Sequence, residues 1–107
     1  MILNYLFSYG TLKNEIVQHK VLGRTVPMHA DVLTGYRLDW DIFPPYAVAI
    51  PDEDGTIDGV RLEIMQNDLS HLDHYEGVAY VRVDVTLESG EQAWVYVGNP
   101  MFNTTEE

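Results

Sequence analysis

None of the 107 residues is cysteine. The chain therefore has no disulfide, no thiol nucleophile and no thiolate metal site, and it suits a reducing compartment. Basic residues are also scarce: six Lys and Arg stand against seventeen Asp and Glu, for a formal net charge of −11. Lys13, Lys20, Arg24, Arg37, Arg61 and Arg82 are scattered and form no basic run. A phosphate backbone would be repelled, so nucleic acid is not an expected partner. No apolar run is long enough to span a bilayer, and the short apolar start lacks the positive flank of a signal peptide, so no membrane association is expected. A cytoplasmic protein follows as the expectation. Internal repeats, linkers and low-complexity segments are missing, and Tyr9-Gly10-Thr11-Leu12-Lys13 lacks the spaced glycines of a nucleotide-binding loop.

What is present fits one domain over residues 1–98 with a polar, acidic tail over 99–107; 46% of residues are hydrophobic and 21% charged. Ile2–Tyr9 reads as a buried first strand turning sharply at Gly10-Thr11-Leu12. Lys13–Val21 reads as a short helix with Ile16 and Val17 facing inward. Met28–Trp40 is a long strand broken by a bulge at Thr34-Gly35. Phe43-Pro44-Pro45-Tyr46 must leave the sheet, because Pro45 restricts Pro44 and neither proline donates to a ladder. Tyr46–Ile50 resumes it, Asp52-Glu53-Asp54-Gly55 reads as a turn, and Thr56–Ile64 as the next strand. The glycine inside that strand, Gly59, predicts a bulge or a close approach by another group. Val81, Val83, Val85 and Leu87 alternate on one face of a later strand, Glu88-Ser89-Gly90-Glu91 is a hairpin turn, and Ala93–Val97 closes the set. About six strands and one or two short helices make an α+β domain, and strands this long in a chain this short predict a small mixed β-barrel. An Asn103-Thr104-Thr105 sequon carries no weight without a secretory signal.

Asn67–Glu76 organises the chain. Asn67 is placed to cap a helix that Gly77 stops. At 100° per residue Leu69, Leu72 and Glu76 share one stripe, with Asp73 beside it. That stripe should face the core. A carboxylate there, in the last turn where the helix dipole disfavours negative charge, has its pKa raised, which marks a functional candidate. The plain alternative is a glutamate curling out past the helix end. His71 and His74 flank Asp73, but no third ligand is evident, so no metal or cofactor is expected. Asp73 and Glu76 lie on one element, unlike the carboxylate pairs that glycosidases set across a cleft. Ser8 has no His–acid relay.

Taken in order, Tyr9-Gly10-Thr11-Leu12, Gly35-Tyr36, Pro45-Tyr46-Ala47, Asp58-Gly59-Val60, Leu72-Asp73-His74-Tyr75-Glu76-Gly77 and Tyr80-Val81-Arg82 resemble the γ-glutamylcyclotransferase-like family, in its branch of AIG2-like and γ-glutamylamine cyclotransferase proteins. The resemblance runs from about residue 3 to residue 98. It implies a compact barrel-like mixed sheet with helices at its side. It implies a small-molecule γ-glutamyl substrate cyclised to 5-oxoproline by intramolecular aminolysis, with Glu76 as catalytic acid/base. Tyr9, Gly10, Thr11 and Leu12 would bind substrate largely through backbone groups, and Tyr80 through a hydrogen bond. Pro45 and Tyr46 are further candidates, as is Arg82, for which a structural pairing with Asp84 or Asp73 competes. The leaving amine is not legible: a lysine side chain, a free amino acid, a polyamine and an antibiotic precursor all fit. A non-catalytic module that binds a small metabolite or a partner on the same fold is the alternative. The residues carry no signal for oligomeric state.

Overall fold

A computed structural model describes residues 3–101. Five strands form one mixed sheet: β1 Leu3–Ser8, β2 Met28–Phe43, β3 Tyr46–Met65, β4 Tyr80–Thr86 and β5 Gln92–Gly98, in the order β2-β3-β1-β5-β4. Every neighbouring pair is antiparallel except β1 with β5. Two helices, α1 Glu15–Leu22 and α2 Leu69–Glu76, complete the α+β fold. Among the described residues no helix is long and apolar enough to cross a membrane.

Alternation along the strands builds two cores, one on each face of the sheet. Leu6 joins Leu62, Ile64 and Tyr96 beneath Leu12, Leu22, Leu69 and Leu72 on the helix side. Its neighbour Phe7 joins Leu33, Ala49, Ile57, Leu87, Val95 and Val97 inside the curl of the sheet. Burying a side chain such as Leu72 completely contributes roughly 1.5–3 kcal/mol. Curling closes the sheet partway into a barrel. The start of β3 meets the end of β5, where a Cβ on Gly98 would stand 2.7 Å from the Val48 side chain. The Tyr9 hydroxyl bridges the same seam, donating to Tyr96 O at 2.7 Å and accepting from Ala49 N–H at 3.1 Å.

Several expectations need correcting. Asp52–Gly55 is not a turn between two strands: β3 runs unbroken, and the segment bulges opposite Gly35, with Thr34 paired to Thr56 and Tyr36 to Pro51. The sheet therefore has five strands rather than six. The acidic run mimics turn chemistry locally, since Asp52 accepts from the Asp54 N–H at 3.0 Å, but β2 pairs on both sides of it and keeps the chain extended. Ile16 is 70% exposed. α1 instead begins at Glu15, with Asn14 accepting from the Ile16 and Val17 amides, and it buries Gln18 and Leu22. Among the described residues Asn67 caps nothing: it lies inside a 3₁₀ turn over Gln66–Asp68 that runs directly into α2, with Asp68 at the N-cap position. Gly59 does mark a close approach: a Cβ there would lie 2.5 Å from the Ser8 carbonyl oxygen and 2.6 Å from the Phe7 ring. The Thr34-Gly35 bulge stands where expected, whereas only Pro44 and Pro45 leave the sheet: Phe43 and Tyr46 pair with each other and close the hairpin. The sequon lies outside the described residues.

Candidate active site

Where β1 ends, the chain rises out of the sheet into a 3₁₀ turn, Thr11–Lys13. In such a turn the first N–H groups lack intrahelical partners. Lys13 N–H bonds back to Gly10 O at 3.2 Å, so the Thr11 and Leu12 amides are the ones left over. Buried Gln18 pins the turn from below: its Nε2 donates to Leu12 O at 2.9 Å and its Oε1 accepts from Val26 N–H at 3.0 Å.

α2 faces this loop. Leu69 and Leu72 are buried, and Glu76 follows one turn later on the same stripe. Gly77, at φ +75°, ends the helix and donates to Asp73 O at 3.1 Å. A clamp fixes the helix against the sheet. Asp73 accepts from Arg82 through Nε at 2.8 Å and Nη2 at 3.0 Å, and from the Tyr96 hydroxyl at 2.7 Å. The Arg82 guanidinium also lies 4.3 Å over the Trp94 ring. Its hydrogen bonds hold the Asp73 carboxyl below the usual range, with burial opposing and Tyr96 assisting.

Between loop and helix lies a cleft of about 660 Å³. Its lining includes Tyr9, Gly10, Thr11, Leu12, Pro45, Tyr46, Glu76 and Tyr80, all expected from the sequence. Arg82 is not among the lining residues; its two hydrogen bonds to Asp73 give it the structural role. Trp40, Ala47, Tyr75 and Tyr96 also line the cleft and were missed. A findable signal existed for Tyr96: a polar-tipped aromatic between Val95 and Val97 of a mostly apolar strand needs a partner for its hydroxyl. Trp40 and Tyr75 carried none, because the β2–β3 hairpin tip and a bond between the Tyr75 and Thr11 hydroxyls (2.7 Å) bring distant residues together.

Glu76 is partly buried. Among the described residues no hydrogen-bond donor or cation is paired with its carboxylate. Burial alone pushes its pKa up to about 7. Burial raises the Tyr80 phenol too, helped by the charges of Glu76 and Tyr46, so those three groups share one electrostatic neighbourhood. Tyr9 is raised above its ordinary value by burial, and both lone ends of its hydroxyl are spent on the seam. Tyr80, whose hydroxyl sits 3.5 Å from Ala47 O, is less committed. A carboxylate that titrates near neutrality, beside free amides and a loosely held phenol, can exchange protons with a bound amine. His71 and His74 are exposed on α2, and among the described residues no cluster of three metal-ligating side chains occurs.

The comparisons agree with one another. Two proteins of Arabidopsis thaliana, known from solution structures, share the fold: one is 23% identical over 100% of this chain and 71% of its own (TM-score 0.81), the other 25% identical over 99% and 73% (TM-score 0.80). A solved gamma-glutamyl cyclotransferase is 17% identical over 92% of this chain and 68% of its own, with a TM-score of 0.76. No curated protein sequence matches the chain. A family model described as gamma-glutamyl cyclotransferase, AIG2-like, matches residues 6–107, and the chain belongs to that family.

Proposed function

We propose that this protein cyclises a γ-glutamyl amide or amine to 5-oxoproline and releases the free amine, with Glu76 as the general acid/base. The observation that carries the reading is the unpartnered, desolvated Glu76 carboxylate lining the same cleft as the Tyr9–Leu12 loop. Family membership supports the reaction class.

The substrate brings its own nucleophile, an α-amino group that is protonated near neutral pH and cannot attack. Glu76, with a pKa of about 7, takes that proton. The amine nitrogen then adds to the γ-carbonyl carbon and closes a five-membered ring. The carbonyl oxygen gathers negative charge, which the Thr11 and Leu12 amides or the Tyr80 hydroxyl stabilise; one well-placed donor is worth about 10²–10³ in rate. Protonated Glu76 gives that proton to the departing nitrogen and takes the second proton from the ring nitrogen, the C–N bond breaks, and 5-oxoproline and the amine leave, the second proton passing from Glu76 to the freed amine or to solvent. Ring closure is intramolecular, so holding the bent conformer does much of the work. Lys13, the one cation in the lining, offers a partner for the α-carboxylate. No step calls for a metal or cofactor.

The test is a product assay. A panel of γ-glutamyl amides is incubated with the protein and 5-oxoproline is measured. Release from at least one member, at a rate proportional to protein, supports the reading. Binding of 5-oxoproline without turnover of any member would overturn it in favour of a binding module.

A further inference from the structure

The chemistry above leaves the rim of the cleft unused. Trp40, Tyr46 and Tyr75 are 59%, 60% and 43% exposed. Among the described residues no other aromatic side chain is exposed to that degree, and all three line this one cleft. Large rings gathered at one mouth mark a contact surface. Elsewhere the chain covers rings with its own cations, Arg61 over Tyr5 at 4.5 Å and Arg82 over Trp94 at 4.3 Å. No described side-chain cation lies over Trp40, Tyr46 or Tyr75, so their electron-rich faces are open to one from outside.

Placement and charge narrow the occupant. Tyr75 directly precedes Glu76, and Tyr46 lies within electrostatic reach of Tyr80. A γ-glutamyl group with its amine at Glu76 occupies the cleft whose exposed lining these rings form, which leaves them to meet the leaving amine's substituent. An amino acid as leaving group would bring a second carboxylate into the cleft. Among the described residues Lys13 is the one cation there, and the α-carboxylate of the glutamyl group claims it. The four arginines are engaged elsewhere: Arg24 with Asp68, Arg37 with Asp39 and Asp52, Arg61 with Asp31 and Arg82 with Asp73. A second carboxylate would sit unpaired in a chain of net charge −11, whereas a cation gains from both the rings and the field.

We propose that Trp40, Tyr46 and Tyr75 form a subsite for a cationic, uncarboxylated leaving amine, of the kind supplied by an aliphatic diamine. The inference rests on the cyclisation reading and adds the leaving group to it. Three γ-glutamyl amides with the same four-methylene linker test it, one ending in an ammonium, one in a methyl and one in a carboxylate. The expected order of kcat/KM is ammonium, methyl, carboxylate. At roughly two- to fivefold per exposed ring, the ammonium should lead the methyl by about ten- to a hundredfold. In Trp40→Leu the ammonium-to-methyl ratio should fall by about two- to fivefold, a comparison internal to each protein and so indifferent to how much of it is folded. Equal rates for all three, or preference for the carboxylate, overturn the subsite while leaving cyclisation standing. No 5-oxoproline from any of the three, while another γ-glutamyl amide is turned over, overturns the subsite alone; no release from these or from the wider panel refutes the cyclisation reading with it.

Discussion

Replacing Glu76 by glutamine should make the protein more stable, and more so at high pH than at low. Burial raises this carboxyl from 4.5 to about 7. At 1.36 kcal/mol per pH unit, ionising it in the folded state costs about 3 kcal/mol relative to the unfolded chain. The group keeps some contact with water, which reduces this to roughly 1.5–3 kcal/mol. The pH dependence follows from linkage. Below 4.5 both states are protonated and the cost is nil. Between 4.5 and about 7 the unfolded chain has released its proton while the folded one holds it, so stability falls as pH rises. Above about 7 the loss is complete and level. Glutamine has no such dependence, and other titrating groups cancel between the two proteins. Urea unfolding at pH 5, 6, 7 and 8 should show the gap between variant and wild type widening up to about pH 7 and then holding, with a gain in Tm of about 5–10 °C at pH 8. A gap that stays constant over that range would refute the desolvated placement of Glu76.

Other perturbations follow from the same contacts. Tyr9→Phe removes the seam bridge and leaves the Ala49 N–H without its acceptor, so denaturant unfolding should show a loss of about 1–3 kcal/mol. Gly59→Ala places a methyl 2.5 Å from Ser8 O; thermal unfolding should register a destabilisation of about 1–3 kcal/mol, and kcat/KM should fall because Ser8 leads into the substrate loop. Asp68 and Asp73 are held below their ordinary pKa of 3.8 chiefly by hydrogen bonds from Arg24 and Arg82. The stability they contribute is present above 3.8 and lost as pH falls through the lower folded values, so acid unfolding followed by circular dichroism should occur below that point.

Much of this arrangement is legible in the residues. Alternation in β4 and β5 assigns their faces, and the spacing of Leu69, Leu72 and Glu76 turns a carboxylate toward the core without reference to any relative. What escapes the sequence depends on partners far along the chain. Asp52–Gly55 has the composition of a turn, yet Tyr36 and Thr34 of β2 hold both its flanks in one strand. Asn67 is a good cap in isolation, but a preceding 3₁₀ turn leaves it nothing to cap. Arg82 takes the structural pairing the sequence left open, with Asp73 rather than Asp84. Trp40 and Tyr75 enter the site only because a hairpin tip and a hydroxyl contact carry them there.

The central claim is that Glu76 moves the proton. Its most direct test is the rate of 5-oxoproline release by wild type and Glu76→Gln, each measured from pH 5.5 to 8.5 on a substrate the wild type turns over. Wild-type kcat/KM should rise with pH through an apparent pKa near 7, and the variant should be slower by about 10²–10⁴ with that inflection gone. A folded variant that matches wild type, or that keeps the inflection near 7, would contradict the account.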